Sequence, residues 1–299
     1  MPSRREILQC AGAAALLSLM PLSARSSKLR QIGSRLIPGT DESLPIIGLG
    51  NSQAFQSGDV EASSQLLDTF LIHGGAYVDV SGSSRYTVGK ILADRGAQER
   101  SFLGNYLSGQ NAAELRAEIG SLQEVQGEGP LDLSMMRSVD ELAARADDFR
   151  ALKGDGLVRY VGIGRAHKKF YPAMMKLIED DVVDFIQVNY SMLEPEAAEK
   201  ILPMALDKGV AVVINRPFMN GDYFGIVKGH ELPAWASEFD CDSWAQFSLK
   251  YIVSHPAVIC VLTETASLKH VVDNLGAGYG RLPDDKMRKR MFAHMQELL

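Results

Sequence analysis

Residues 156–190 read GLVRYVGIGRAHKKFYPAMMKLIEDDVVDFIQVNY. Two short apolar runs, Val158–Gly164 and 183–190, bracket a segment over 168–180 whose apolar residues fall three and four apart, so the stretch reads strand, helix, strand. The same alternation extends outward in both directions. Further strands are expected at 44–50, 76–81, 101–107, Leu131–Met136, 210–215 and Val258–Thr263. Helical segments are expected at 61–73, 87–94, 111–125, 139–154, 195–208, 242–254 and 268–275, with a charged tail helix from 284; the spacing of Leu66, Leu67 and Phe70, and of Phe247 and Tyr251, illustrates their period. Strands alternating with helices in this number fit a (β/α)8 barrel. A doubly wound sheet is the competing arrangement, but the chain carries no phosphate-loop glycine fingerprint for it. No fixed-period repeat, linker or charge block divides residues 27–299, which are read as one barrel domain. The one long connection, 216–242, is the natural lid.

In such barrels the chemistry sits at the C-terminal ends of the strands. The positions of interest are therefore Asp79, Tyr106, Arg137, Gly164 with Arg165, Gln187 with Asn189, Arg216 with Phe218, and the stretch 263–267. Composition narrows the field. The 299 residues are 46% hydrophobic and 23% charged, with a net charge of -6, so no basic field exists to hold nucleic acid non-specifically. Cys10, Cys241 and Cys260 are too few for a disulfide framework or a four-thiolate zinc site, and the histidines show no paired ligand spacing, so no metal is expected.

The first 26 residues stand apart. Ser3, Arg4 and Arg5 precede an apolar run over 11–22 and the small residues Ala24 and Ser26, the pattern of a twin-arginine export signal cleaved after Ser26 or Ala24. The run is too short for a permanent span, since crossing the bilayer takes about 20 apolar residues. A periplasmic or otherwise exported protein without an integral membrane span is expected. Removing Arg4, Arg5 and Arg25 with only Glu6 leaves the remainder more acidic.

Four stretches carry a resemblance to the aldo-keto reductase superfamily, particularly its exported twin-arginine members: LPIIGLG at 44–50, GAYVD at 75–79, the quoted pair of strands around Ile163 and Gln187, and DNLGAG at 273–278. The resemblance implies carbonyl reduction by hydride from a bound nicotinamide, NADPH or NADH, while a tyrosine hydroxyl supplies the proton under the influence of a lysine, an aspartate and a histidine. A phenol of pKa about 10 needs such a cation to donate near neutrality. Carried over position by position, the aspartate is Asp79, the tyrosine position is Ser84, the lysine position is Tyr106 and the histidine position is Arg137. Three of the four roles have changed chemistry.

The resemblance places the cofactor against Gln187 and Asn189, with Arg216, Phe218, Thr265 and Asn274 as further contacts. The carboxamide contacts after the fifth strand are replaced by Gly164 and Arg165, and Glu264 stands in the phosphate loop, where Coulomb repulsion of about 1 kcal/mol or more opposes a 2′-phosphate. Cofactor binding is therefore expected to be weak or absent.

Two readings stay open. In one, an exported oxidoreductase uses a rearranged site in which Tyr106 donates the proton, Arg137 lowers its pKa and Asp79 orients the arginine; Tyr86 is an alternative donor. In the other, the barrel is a pseudoenzyme that binds a small carbonyl or anionic ligand, or a protein partner in the envelope, with Arg137 and Arg165 at the pocket mouth. In either case Arg137 is a candidate ion-pair partner for Asp79.

Overall fold

The computed structural model describes residues 32–299; the expected export signal over 1–26 lies outside the described residues. The chain enters through an antiparallel hairpin, β1 (Ser34–Leu36) and β2 (Ser43–Pro45). Eight parallel strands follow: β3 (Ile47–Leu49), β4 (Tyr77–Val80), β5 (Phe102–Tyr106), β6 (Leu131–Met136), β7 (Val158–Gly164), β8 (Phe185–Asn189), β9 (Ala211–Asn215) and β10 (Val258–Thr263). They pair in sequence order, and β10 closes on β3 through Val261 opposite Ile47 and Thr263 opposite Leu49. The expected barrel is thus present, each expected strand at its place.

One expected strand divides. The run 44–50 supplies both the second hairpin strand and β3, because the chain bends at Ile46, whose N–H bonds the Gly33 carbonyl (2.9 Å). The hairpin closes the bottom of the barrel. Its Ile37 and Leu44 join the interior layer of Phe102, Leu133, Phe185 and Val213, and Arg35 donates to the His255 carbonyl (2.6 Å) at the end of the helix Trp244–Val253. On the outer face of the strands, a larger core that includes Leu66, Phe70, Ile119, Phe149 and Phe247 fills the space beneath the helices. Burial of this kind contributes about 25 cal/mol per Å² of apolar surface, which is why the alternation of apolar runs is so plain in the sequence.

Side chains alternate across each strand, so every second residue points into the barrel. Tyr77, Phe102, Tyr106, Met135 and Phe185 fill the interior, and glycines make room for them: a Cβ on Gly104 would lie 2.8 Å from the Tyr77 hydroxyl. The upper end of this series is polar, with Asp79 and Asn215 at or next to the C-terminal ends of their strands and Gln187 midway along β8.

The connection 216–242 carries the short helix Asp222–Ile226 and the 3-10 turn Ala234–Phe239, which the sequence reading did not anticipate. Tyr223 donates to the Trp244 carbonyl (2.9 Å), and Trp244 to that of His230 (2.9 Å), so the segment is tied to the barrel wall. Arg216, Met219 and Asn220 all adopt positive φ, an unusual concentration of strained non-glycine residues at the barrel mouth.

Candidate functional site

A cleft of about 690 Å³ opens at the C-terminal end of the barrel, and Asp79, Tyr106, Arg137, Gln187, Arg216, Phe218 and Thr265 all line it. These are the expected site residues that the fold brings together. Asn189 and Asn274 are not among them. The Asn189 side chain accepts the Tyr171 phenol (2.8 Å), and Asn274 is buried on the helix Leu268–Gly276. Ser84 is also turned away: it begins the helix Ser84–Asp94, accepts the Ser81 N–H (3.0 Å) and donates to Asn51 Oδ1 (2.5 Å). Its hydroxyl fixes the loop after β4 and does not reach the cleft. Tyr86 is exposed on the same helix, outside the cleft lining.

A chain of hydrogen bonds crosses the cleft floor. The Tyr106 hydroxyl donates to Gln187 Oε1 (2.8 Å), and Gln187 Nε2 donates to Asp79 Oδ1 (3.2 Å). Asn215 Nδ2 gives Oε1 a second, longer bond (3.4 Å). A carboxamide oxygen has two lone pairs, so Gln187 Oε1 is saturated. Tyr106 reaches this position only because a glycine ends β7, two strands away: a Cβ on residue 164 would lie 2.1 Å from the phenol oxygen. The glycine that ends β7 and the phenol that ends β5 therefore belong together, the aromatic ring occupying the space a side chain on residue 164 would need.

Electrostatics follow from burial. Desolvation pushes the Asp79 carboxyl up to about 7, against the Gln187 hydrogen bond and the charge of Arg137, which pull it down; Glu264 adds a smaller upward push. Tyr106 is raised well above the ordinary phenol value, again by desolvation first and then by Asp79, with Arg137 and Arg165 opposing too weakly to reverse it. A phenol so placed is a poorer acid than free tyrosine, opposite to what a rearranged proton donor needs.

Arg137 does not pair with Asp79. Among the described residues no ion pair joins them; the guanidinium lies 4.2 Å above the centre of the Tyr106 ring. Asp79 is stabilised by Gln187 and by its raised pKa, since a carboxylic acid that keeps its proton needs no counter-ion. Arg165, expected beside Arg137 at the mouth, stacks 3.6 Å from the Phe170 ring centre and donates to the Arg137 carbonyl (2.8 Å). Its contribution is to hold the loop after β6. Arg216 donates to the Ala166 carbonyl (3.1 Å) and to Asn220 Oδ1 (3.2 Å).

Several contributors were not singled out in the sequence. Asn51 and Asn215 are strand-end carboxamides with no motif to mark them. Arg85 donates to the Tyr106 carbonyl (2.8 Å) and to Glu118 (2.5 Å), fixing the end of β5 from beneath. Only its position next to Ser84, which the resemblance had marked, could have pointed to it.

The fit of a nicotinamide can be tested on these residues. Its carboxamide would need Gln187 free and the space beside Gly164 open, whereas Gln187 already holds Tyr106 and Asp79, and the Tyr106 phenol fills that space. Thr265 turns inward on its own loop, accepting the Ser267 N–H (3.1 Å), and Glu264 lines the cleft beside it. The residues present do not fit that group in the manner the resemblance implies.

A closed eight-stranded parallel barrel with polar side chains gathered toward its C-terminal face defines the class as a (β/α)8 barrel. The sequence profile of the Aldo/keto reductase family matches residues 46–290, and the chain belongs to that family. In structure it is similar to an aldo-keto reductase of Bacillus halodurans in its holo form, with TM-score 0.71 and 19% identity over 90% of this chain and 96% of that one. It is also similar to an aldo/keto reductase of Klebsiella pneumoniae in complex with NADP and acetate (TM-score 0.70, 18% identity, 88% and 96% covered). A third likeness is to an aldo-keto reductase from a Medee basin deep-sea metagenome library (TM-score 0.69, 15% identity, 88% and 94% covered). At these identities the likeness is one of fold. No curated protein matches the chain in sequence. No helix of the described residues is long and apolar enough to cross a membrane.

Proposed function

We propose that this chain is an exported aldo-keto reductase barrel that has given up NAD(P)H-dependent carbonyl reduction and serves as a binding module for a small polar ligand at its mouth. The observation that carries the reading is the buried run Tyr106–Gln187–Asp79, seated on Gly164. Reduction needs a nicotinamide held over the site and an acid that donates near neutrality. The first is opposed by the occupied Gln187 and by Glu264. The second is opposed by the raised Tyr106 phenol and by the loss of the lysine and the tyrosine from their positions. General acid catalysis is worth typically 10²–10⁴-fold, and its loss alone would leave a slow enzyme.

One observation favours a second reading. Asp79 lines the cleft with a carboxyl raised to about 7, so it can hold and release a proton near neutrality. A slow reductase with Asp79 as its acid is the function that would remain if a nicotinamide bound after all.

Titration of the purified protein with NADPH and with NADH, followed by nicotinamide fluorescence and calorimetry, separates the two. The binding-module reading expects no saturation up to about 1 mM, a free energy weaker than about -4 kcal/mol. Micromolar binding would overturn it, and loss of carbonyl-dependent NADPH oxidation in Asp79→Asn would then establish the second.

The export assignment rests on Arg4 and Arg5 ahead of their apolar run. Changing both to lysine is expected to leave the protein in the cytoplasm, as read by fractionation; unchanged export would end the assignment.

A further inference from the structure

Among the cleft-lining residues with polar groups that have no partner among the described residues, three matter most. Arg137, the residue after β6, donates no hydrogen bond from its guanidinium among the described residues and lies over the face of the Tyr106 ring. Arg85, Arg159 and Arg288, by contrast, each donate to a side chain elsewhere in the barrel. Glu264, the residue after β10, makes neither ion pair nor hydrogen bond, yet it lines the same cleft. The third group is Asn215 Oδ1, which is buried and accepts nothing, although the Nδ2 of the same side chain is used on Gln187. One five-donor cation and one anion therefore face a single cavity unspent, with an unused acceptor buried behind its wall.

Their placement is set by the topology. Around the closed barrel the order runs β10, β3, β4, β5, β6 on one side and β10, β9, β8, β7, β6 on the other. Arg137 and Glu264 thus stand at diametrically opposite strand ends, with Asp79 midway on one side and Gln187 midway on the other. Both charges are close enough to act on Asp79, Arg137 pulling its pKa down and Glu264 pushing it up. A simple anion drawn to Arg137 would face Glu264 across the cleft, and a simple cation drawn to Glu264 would face Arg137 and Arg216. Either would meet an opposing charge in a partly desolvated space, where Coulomb terms are several times stronger than in water.

We propose that the cleft binds a small zwitterion of the amino-acid class with its charges at opposite ends, its carboxylate on the Arg137 guanidinium and its ammonium on Glu264. This rests on the reading that the nicotinamide seat is closed by Tyr106. A guanidinium offers a carboxylate two parallel bonds, and the carboxylate of Glu264 offers an ammonium a charged acceptor. The volume of about 690 Å³ leaves room for a chain of several carbons between the two ends.

The test uses the full-length protein and the ω-amino acid series from glycine through β-alanine, 4-aminobutanoate and 5-aminopentanoate to 6-aminohexanoate. Calorimetry and melting shifts are read beside two controls of matched length, the carboxylate without the amine and the amine without the carboxylate. At the chain length that binds best, each control is expected to bind at least tenfold more weakly, about 1.4 kcal/mol. Arg137→Met should reduce the zwitterion to the affinity of the amine, and Glu264→Gln to that of the carboxylate. Both positions lie at the rim, and a melting curve for each variant confirms that it is folded. Equal binding of carboxylate and zwitterion would make the site a plain anion site and overturn the proposal, as would absence of binding across the series at about 10 mM. NADPH titrated into the same preparation reports separately: micromolar affinity there sinks the closed-seat reading, whatever the zwitterion series gives.

Discussion

Asp79→Asn is expected to melt above the parent protein at pH 8 and together with it near pH 4. Asp79 is only 6% exposed, and burial raises its carboxyl from the ordinary 3.8 to about 7 in the folded protein. Between those two values the folded chain binds more protons than the unfolded one, so stability falls as pH rises. The contribution of the protonated group is fully present below 3.8. It drains away through the interval and is gone above 7, where a carboxylate must be held ionised in a desolvated site with no ion-pair partner.

Asparagine resembles the protonated acid in shape, and its oxygen can still accept Gln187 Nε2. The variant therefore keeps the hydrogen bond and escapes the titration. A shift of this size corresponds to about 4 kcal/mol at the limit, and contact with the cleft solvent brings the expectation to roughly 2–4 kcal/mol. For a chain of this length that is roughly 5–10 °C in melting temperature. Calorimetric scans of both proteins from pH 4 to pH 8 provide the check. A gap that is the same at every pH would mean that Asp79 does not titrate in this interval, and the raised carboxyl would be abandoned.

The fold was legible because barrel strands buried on both faces leave near-continuous apolar runs, and the helices between them keep a distinct period. Val158–Gly164 and Val258–Thr263 could be read to the residue. The hairpin was not legible: its three-residue strands carry little pattern, and Leu44 serves the hairpin while Ile47 serves the barrel within one apolar run. At the site, the sequence showed which residue types stand near the strand ends but not how they fit together. That Tyr106 leans on Gly164 joins β5 to β7, and that Gln187 turns its amide to Asp79 joins β8 to β4, contacts that no local pattern encodes. Arg137 illustrates the limit best. Its charge and place at a strand end suggested an ion pair with Asp79, but the alternative, a neutral acid beneath and a guanidinium on an aromatic face, depends on a desolvation balance visible only in three dimensions.

Gly164→Ala should be the most damaging single methyl group in the barrel mouth, and Tyr106→Ala should cancel most of the damage. Residue 164 ends a β-strand at an ordinary negative φ, where alanine suits the backbone at least as well as glycine. Any loss must therefore come from the new Cβ, which would overlap the Tyr106 phenol oxygen. The ring cannot swing outward without leaving the Arg137 guanidinium, nor sideways without breaking its bond to Gln187. Overpacking typically costs 1–3 kcal/mol, and a buried hydrogen-bonding group left without its partner about 1–3 more, so a loss of roughly 2–5 kcal/mol is expected. In the Tyr106→Ala background the obstacle is absent, and adding Gly164→Ala should change stability by less than about 0.5 kcal/mol, since nothing remains for the methyl group to displace. Denaturant unfolding of the parent, the two single variants and the double variant closes the cycle. A coupling energy near zero would mean that Tyr106 does not rest on Gly164 in solution. The picture of a nicotinamide seat filled by its own protein would then lose its central contact.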